Sequence, residues 1–115
     1  MRILALRTLA TLLLCVMPPA AAVASVIHVP EDGFTVGGAL LAAAAYDTIL
    51  VSPGSYYVNL EWPATPGIKL LSKLGALTTI LDGRDKLQVI GIYSGVDTTT
   101  VIRGFTIQNG HAEGQ

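Results

Sequence analysis

The chain has 115 residues, seven Lys and Arg against eight Asp and Glu, a formal net charge of −1 and a single cysteine. That length holds one domain or part of one. Scattered cations without a basic stripe exclude a nucleic-acid partner, and one cysteine excludes a disulfide framework.

Arg2 and Arg7 precede an apolar run from Leu9 to Met17, then Pro18 and Pro19, then Ala20, Ala21, Ala22, Val23 and Ala24. Basic, then apolar, then small is the order of a secretory signal peptide, and Ala22-Val23-Ala24 offers an A-x-A cleavage site. Residues 1–24 therefore read as a leader cut after Ala24. A bilayer-spanning helix needs about 20 apolar residues, so the short run speaks against an uncleaved anchor and against stable membrane insertion after its removal. Cys15 follows Leu14, whereas a lipoprotein site has a small residue there. Without the leader no thiolate remains for a metal or disulfide. Lys69, Lys73, Arg84, Lys86 and Arg103 then face eight acids, a charge of 5 − 8 = −3. Localisation is expected to be secreted, extracellular, at the cell surface or periplasmic.

Residues 25–48 read as a cap. Ser25 to Val29 has strand character, stopped by Pro30, which lacks an amide hydrogen for a ladder. Glu31-Asp32-Gly33 is a turn, and Thr35 can cap a helix whose apolar face is Val36, Ala39, Leu40 and Ala43. Gly37 and Gly38 cost that helix roughly 1 kcal/mol each relative to alanine, so it depends on docking. Asp47-Thr48 is expected to end it.

Residues 49–115 read as coils. Ile49 to Val51 is a β-branched run closed by Ser52-Pro53-Gly54, and Tyr56 to Leu60 is the next strand. Trp62, Pro63, Pro66 and Gly67 suggest a loop with an exposed aromatic. Ile68 to Gln88 then lies over Val89 to Asn109 at an offset of 89 − 68 = 21 without a gap, matching Thr78 with Thr99, Thr79 with Thr100 and Gly83 with Gly104. Each unit is expected to hold a strand near its start, a turn around Gly75 or Asp97, and a strand ending at Gly83 or Gly104. Phe105 to Ile107 follows as a third strand before Asn109-Gly110. Antiparallel hairpins would use similar turns, but a gap-free period favours a coil in which parallel neighbours present like residues to like. The last residues, from Phe105 on, are expected to await a further coil of the same chain.

The succession from His28 to Leu60, then Thr78 to Gly83 (TTILDG), then Val101 to Gly110 (VIRGFTIQNG) resembles the N-terminal part of secreted right-handed parallel β-helix proteins of the pectin-lyase-like superfamily. The resemblance implies an all-β solenoid with a short N-terminal capping helix, incomplete at its C-terminus. It implies a structural or carbohydrate-binding module with polysaccharide as partner, or alternatively the first part of a polysaccharide lyase, glycoside hydrolase or pectin esterase. Relatives carry glycine where Tyr46 precedes Asp47; a positive φ there would strain a tyrosine.

Enzymes of that superfamily use acids, arginines or calcium on central coils, and no residue here is assigned a catalytic role. Asp82 and Asp85 are close in sequence, as glycoside hydrolysis would require of two carboxyls in space. However, 103 − 82 = 21 puts Arg103 in the Asp82 column, where a cross-strand ion pair is expected. Asp82, Asp85 and Asp97 match no compact calcium loop, and neither His28 nor His111 has a second histidine at ligand spacing. No cofactor motif is present. Trp62, Tyr56 and Tyr57 are the carbohydrate-binding candidates, since flat aromatic faces stack on sugar rings. The structural alternative sends one tyrosine into the core, turns the other outward and uses Trp62 to pin its loop. Asn109 is expected to hydrogen-bond along the stack.

Overall fold

The computed structural model describes residues 23–112. The apolar run Leu9 to Met17, Cys15 and Glu113 lie outside them. Strands β1 (Val26–Val29), β2 (Thr48–Val51), β3 (Gly54–Tyr57), β4 (Leu60–Glu61), β5 (Lys69–Ser72), β6 (Thr79–Asp82), β7 (Ile90–Gly91), β8 (Val101–Arg103) and β9 (Thr106–Gln108) accompany one helix, α1 (Val36–Ala42). Every strand pair described is parallel, in three sheets ordered β1-β2-β5-β8, β3-β6-β9 and β4-β7. Successive passes of the chain thus stack as a solenoid, and hairpin pairing is absent among the described residues.

The cap forms as its residues dictate. Thr35 is extended at φ −80°, ψ 169°, and its Oγ1 accepts the Gly38 N–H at 2.9 Å, satisfying an otherwise orphan helix donor. Val36, Ala39, Leu40 and Ala43 are all buried. The helix ends at Ala42, before Asp47, because Ala43 is already extended at φ −67°, ψ 140°. Tyr46 adopts φ 68°, the left-handed conformation that glycine takes more readily, and its N–H donates to the Pro66 carbonyl at 3.0 Å. The ring lies close over Gly67, itself at φ +71°, where a Cβ would sit 2.3 Å from Tyr46 Cδ1.

Alternation along each strand sends every second side chain inward. In the first sheet Ile27, Ile49, Leu70 and Ile102 stand in register as one inner column. In the second sheet Tyr56, Leu81 and Ile107 form another. Ile49, Leu70 and Leu81 have no exposed surface, and burial of such a side chain stabilises by about 1.5–3 kcal/mol. Ile107 closes its column at the outermost strand and is 51% exposed.

The register corrects the repeat. Ile80 faces Thr106 and Val101 faces Lys69, so the segments that match at 21 residues belong to different sheets. Asp82 faces Gln108, and Arg103 faces Leu71; the expected Asp82–Arg103 column does not exist. An offset of 21 does hold between β2 and β5 (Thr48 to Lys69), but the next step, Lys69 to Val101, is 32. The strand expected from Tyr56 to Leu60 also divides. The chain turns at Val58 and Asn59, where Asn59 Nδ2 donates to the Gln88 carbonyl at 3.2 Å, and β4 joins the third sheet.

Candidate functional site

The outward residues of the second sheet gather aromatic, acidic and amide side chains on one surface. Tyr56 points in, so Tyr57 points out, and parallel pairing places Tyr57, Asp82 and Gln108 side by side on adjacent strands, about 4.8 Å apart per step. Among the described residues, three of the four non-glycine residues at positive φ adjoin this column: Arg84 (57°), Asp85 (56°) and Asn109 (56°). Such backbone settings persist where surroundings over-determine them. Here the surroundings are hydrogen bonds, from Arg84 and Asn109 to Asp82 and from Asp85 to Asn109.

Asp82 Oδ1 accepts the Arg84 N–H at 2.8 Å, closing an Asx turn. Asn109 Nδ2 donates to both carboxylate oxygens at 3.1 Å, and Gln108 Nε2 donates to Oδ2 at 3.2 Å. The Asp85 N–H bonds the Asn109 carbonyl at 2.8 Å. Gly83 is required between them, since a Cβ there would meet that same carbonyl oxygen at 2.7 Å. The turn swings the Arg84 guanidinium over Tyr57, with Cζ 4.7 Å from the ring centroid, a cation–π contact. The Arg84 N–H, then Asn109, Gln108 and the nearby guanidinium charge, hold the Asp82 carboxyl below its ordinary range. It is therefore ionised at neutral pH and has no proton to give as a general acid.

Tyr56 lies beneath the cap. Its hydroxyl donates to the Ser52 carbonyl at 2.6 Å, while the Ser52 hydroxyl donates to Glu31. The bond from Ser52 lowers the Glu31 carboxyl, and burial, aided by the Glu31 charge, raises the Tyr56 phenol. Tyr56 and Tyr57 both border a cleft of about 300 Å³ with Pro30, Phe34 and Val58. The two tyrosines therefore share one neighbourhood.

Trp62 is elsewhere and is not the exposed aromatic its loop suggested. Its N–H continues the β4–β7 ladder to the Gly91 carbonyl at 2.8 Å, so inward Leu60, outward Glu61 and inward Trp62 alternate. The side chain is 4% exposed and its indole Nε1 has no hydrogen-bond partner among the described residues. It offers no face to a sugar ring. The alternation of Leu60, Glu61 and Trp62 is the signal that would have found this.

Asp97 binds its own turn through the Thr99 N–H at 2.8 Å and the Thr99 hydroxyl. Among the described residues no three His, Cys, Asp or Glu side chains converge as metal ligands. Arg84 and Gln108 went unrecognised from sequence because Arg84 meets Tyr57 through an offset of 82 − 57 = 25 and Gln108 meets Asp82 through one of 108 − 82 = 26. Asn109 does bond along the stack, as anticipated. Comparison of the chain with protein-family models, with curated proteins and with solved structures returned no match.

Proposed function

We propose that this chain is an exported module of a right-handed parallel β-helix of the pectin-lyase-like kind, with residues 1–24 as its leader, and that it binds polysaccharide on the outer face of the second sheet. The observation that carries the reading is the array of Tyr57, Arg84, Asp82, Gln108 and Asn109. The exposed Tyr57 ring, covered on one face by Arg84, supplies an apolar platform for the C–H face of a sugar, the amide oxygens of Gln108 and Asn109 and the guanidinium supply hydroxyl acceptors and donors, and Asp82 fixes the amides in place. Rigid elements hold these groups in place, which limits the entropy lost on binding.

Its hydrogen bonds keep Asp82 ionised, which removes it as the general acid of a hydrolysis and leaves that chemistry only the base or nucleophile position. The test is affinity electrophoresis of the purified protein through gels containing neutral or acidic plant, bacterial and algal polysaccharides. Retardation by at least one polymer, reduced about tenfold or more in affinity by Tyr57→Ala, is expected. Free migration through all of them would remove the reading.

A further inference from the structure

The place where the chain enters the fold holds a buried carboxylate bonded to the main chain. Asp47 is 4% exposed. Its Oδ1 accepts the Ser25 N–H at 2.8 Å and its Oδ2 accepts the Ala44 N–H at 2.8 Å. The Thr48 N–H returns a bond to the Ser25 carbonyl at 3.0 Å, and the Asp47 carbonyl accepts from Lys69 at 3.0 Å. Asp47 thus ties the entry point, the turn after α1 and the next pass of the chain. Ala24 and Val23 are exposed, with Val23 at 82%, so this bonding begins at Ser25.

Resting on the export reading above, we infer that cleavage between Ala24 and Ser25 installs a latch: the new α-ammonium of Ser25 pairs with Asp47 and locks the first coil to the second. In the cleavage, catalysed by a secretory peptidase, water adds across the Ala24–Ser25 amide. Ala24 leaves as a carboxylate and Ser25 keeps its nitrogen as an amine, protonated at neutral pH. The same nitrogen that donated as a neutral amide now donates as a cation. Charge-assisted bonds are shorter and roughly twice as strong as neutral ones. Ser25 is exposed, so the remaining ammonium protons keep their water and the desolvation cost that weakens fully buried pairs is small. Before cleavage, the groups facing these two oxygens are the neutral Ser25 and Ala44 amides and the Ser25 hydroxyl, and none of them carries a charge. Processing therefore adds stability after export.

The protein is produced with its own leader and its mature terminus is read by mass spectrometry. A terminus at Ser25 is expected. A terminus elsewhere overturns the latch while leaving export standing, and an intact leader on retained protein removes both. The Ser25 form is then compared with one that starts at Ala24 and with its Nα-acetylated counterpart. Both should melt about 4 °C or more below it, and the gap should vanish in Asp47→Asn. Equal melting, or an undiminished gap in Asp47→Asn, overturns the latch. If Asp47→Asn does not fold, the Ser25 amine in the wild-type protein is acylated in competition with a denatured sample. At least about threefold protection is expected, and equal rates overturn it.

Discussion

Asp82 stands opposite Gln108, not opposite Arg103, and the carboxylate is held by amides and a backbone N–H on two successive passes of the chain. Asn109→Ala removes the second-largest influence lowering Asp82, so the Asp82 titration, followed by carboxylate NMR, should move up toward the ordinary carboxylate value. Arg103→Ala should leave it unmoved. A shift caused by Arg103→Ala would contradict the register.

Asp47 has a lowered pKa because the Ser25 and Ala44 N–H groups bond its ionised form. The sign follows from linkage: a carboxylate lowered on folding contributes stability above its unfolded pKa and loses it as pH falls through the folded value. Acid denaturation should therefore include a contribution that begins below about pH 4 and is absent in Asp47→Asn. At neutral pH that substitution should cost about 1–3 kcal/mol, because an amide NH₂ then meets one of the buried donors. Urea melts across a pH series measure both.

Gly67→Ala should be destabilising by more than about 1–2 kcal/mol, since it adds the left-handed backbone penalty to a collision with Tyr46. Removing the ring in a Tyr46→Ala background relieves the collision and leaves the backbone penalty. A double-mutant cycle should consequently show coupling between the two positions. Additive losses would mean that ring and glycine do not meet.

Leu81→Ala should cost about 2–5 kcal/mol, as expected for truncation of a side chain without exposed surface. Leu77 is 95% exposed, and Leu77→Ala should stay within about 0.5 kcal/mol. Chemical denaturation of the two variants separates the inner column from the corner that precedes it.

Trp62 is the single tryptophan of the chain, so its fluorescence reports one site. Burial predicts blue-shifted emission and weak acrylamide quenching, unchanged by saturating polysaccharide. Trp62→Phe removes an unpartnered indole N–H and should be close to neutral. Trp62→Ala should lose about 3–5 kcal/mol.

Features governed by near neighbours were legible in the sequence. Thr35 caps α1, and Tyr56 and Tyr57 face opposite ways, because each depends on helix capping or strand alternation. Parallel stacking was legible too. Register was not, since strands of different faces can look alike: an apolar pair between threonine and glycine made β6 resemble β8, although they lie in different sheets. The candidate site shared that fate. Tyr57 was visible as an outward aromatic, but Arg84 reaches it through a left-handed turn and a 25-residue step, and the amides reach Asp82 through a further step of 26. Trp62 was misread because proline-rich surroundings suggested a loop, whereas its own N–H continues a ladder.

The unequal spacing between passes has a consequence for how such a chain can change. Between β2 and β5 the step is 21 residues, and between β5 and β8 it is 32, yet the inner column from Ile49 through Leu70 to Ile102 stays in line. Residues 92–99 occupy the longer corner and are exposed. Strand pairing thus sets alignment locally, and corner length is free of it. Segments can grow or shrink at the corners while the column inside remains the same ruler, so new surface chemistry can be acquired without redesigning the core.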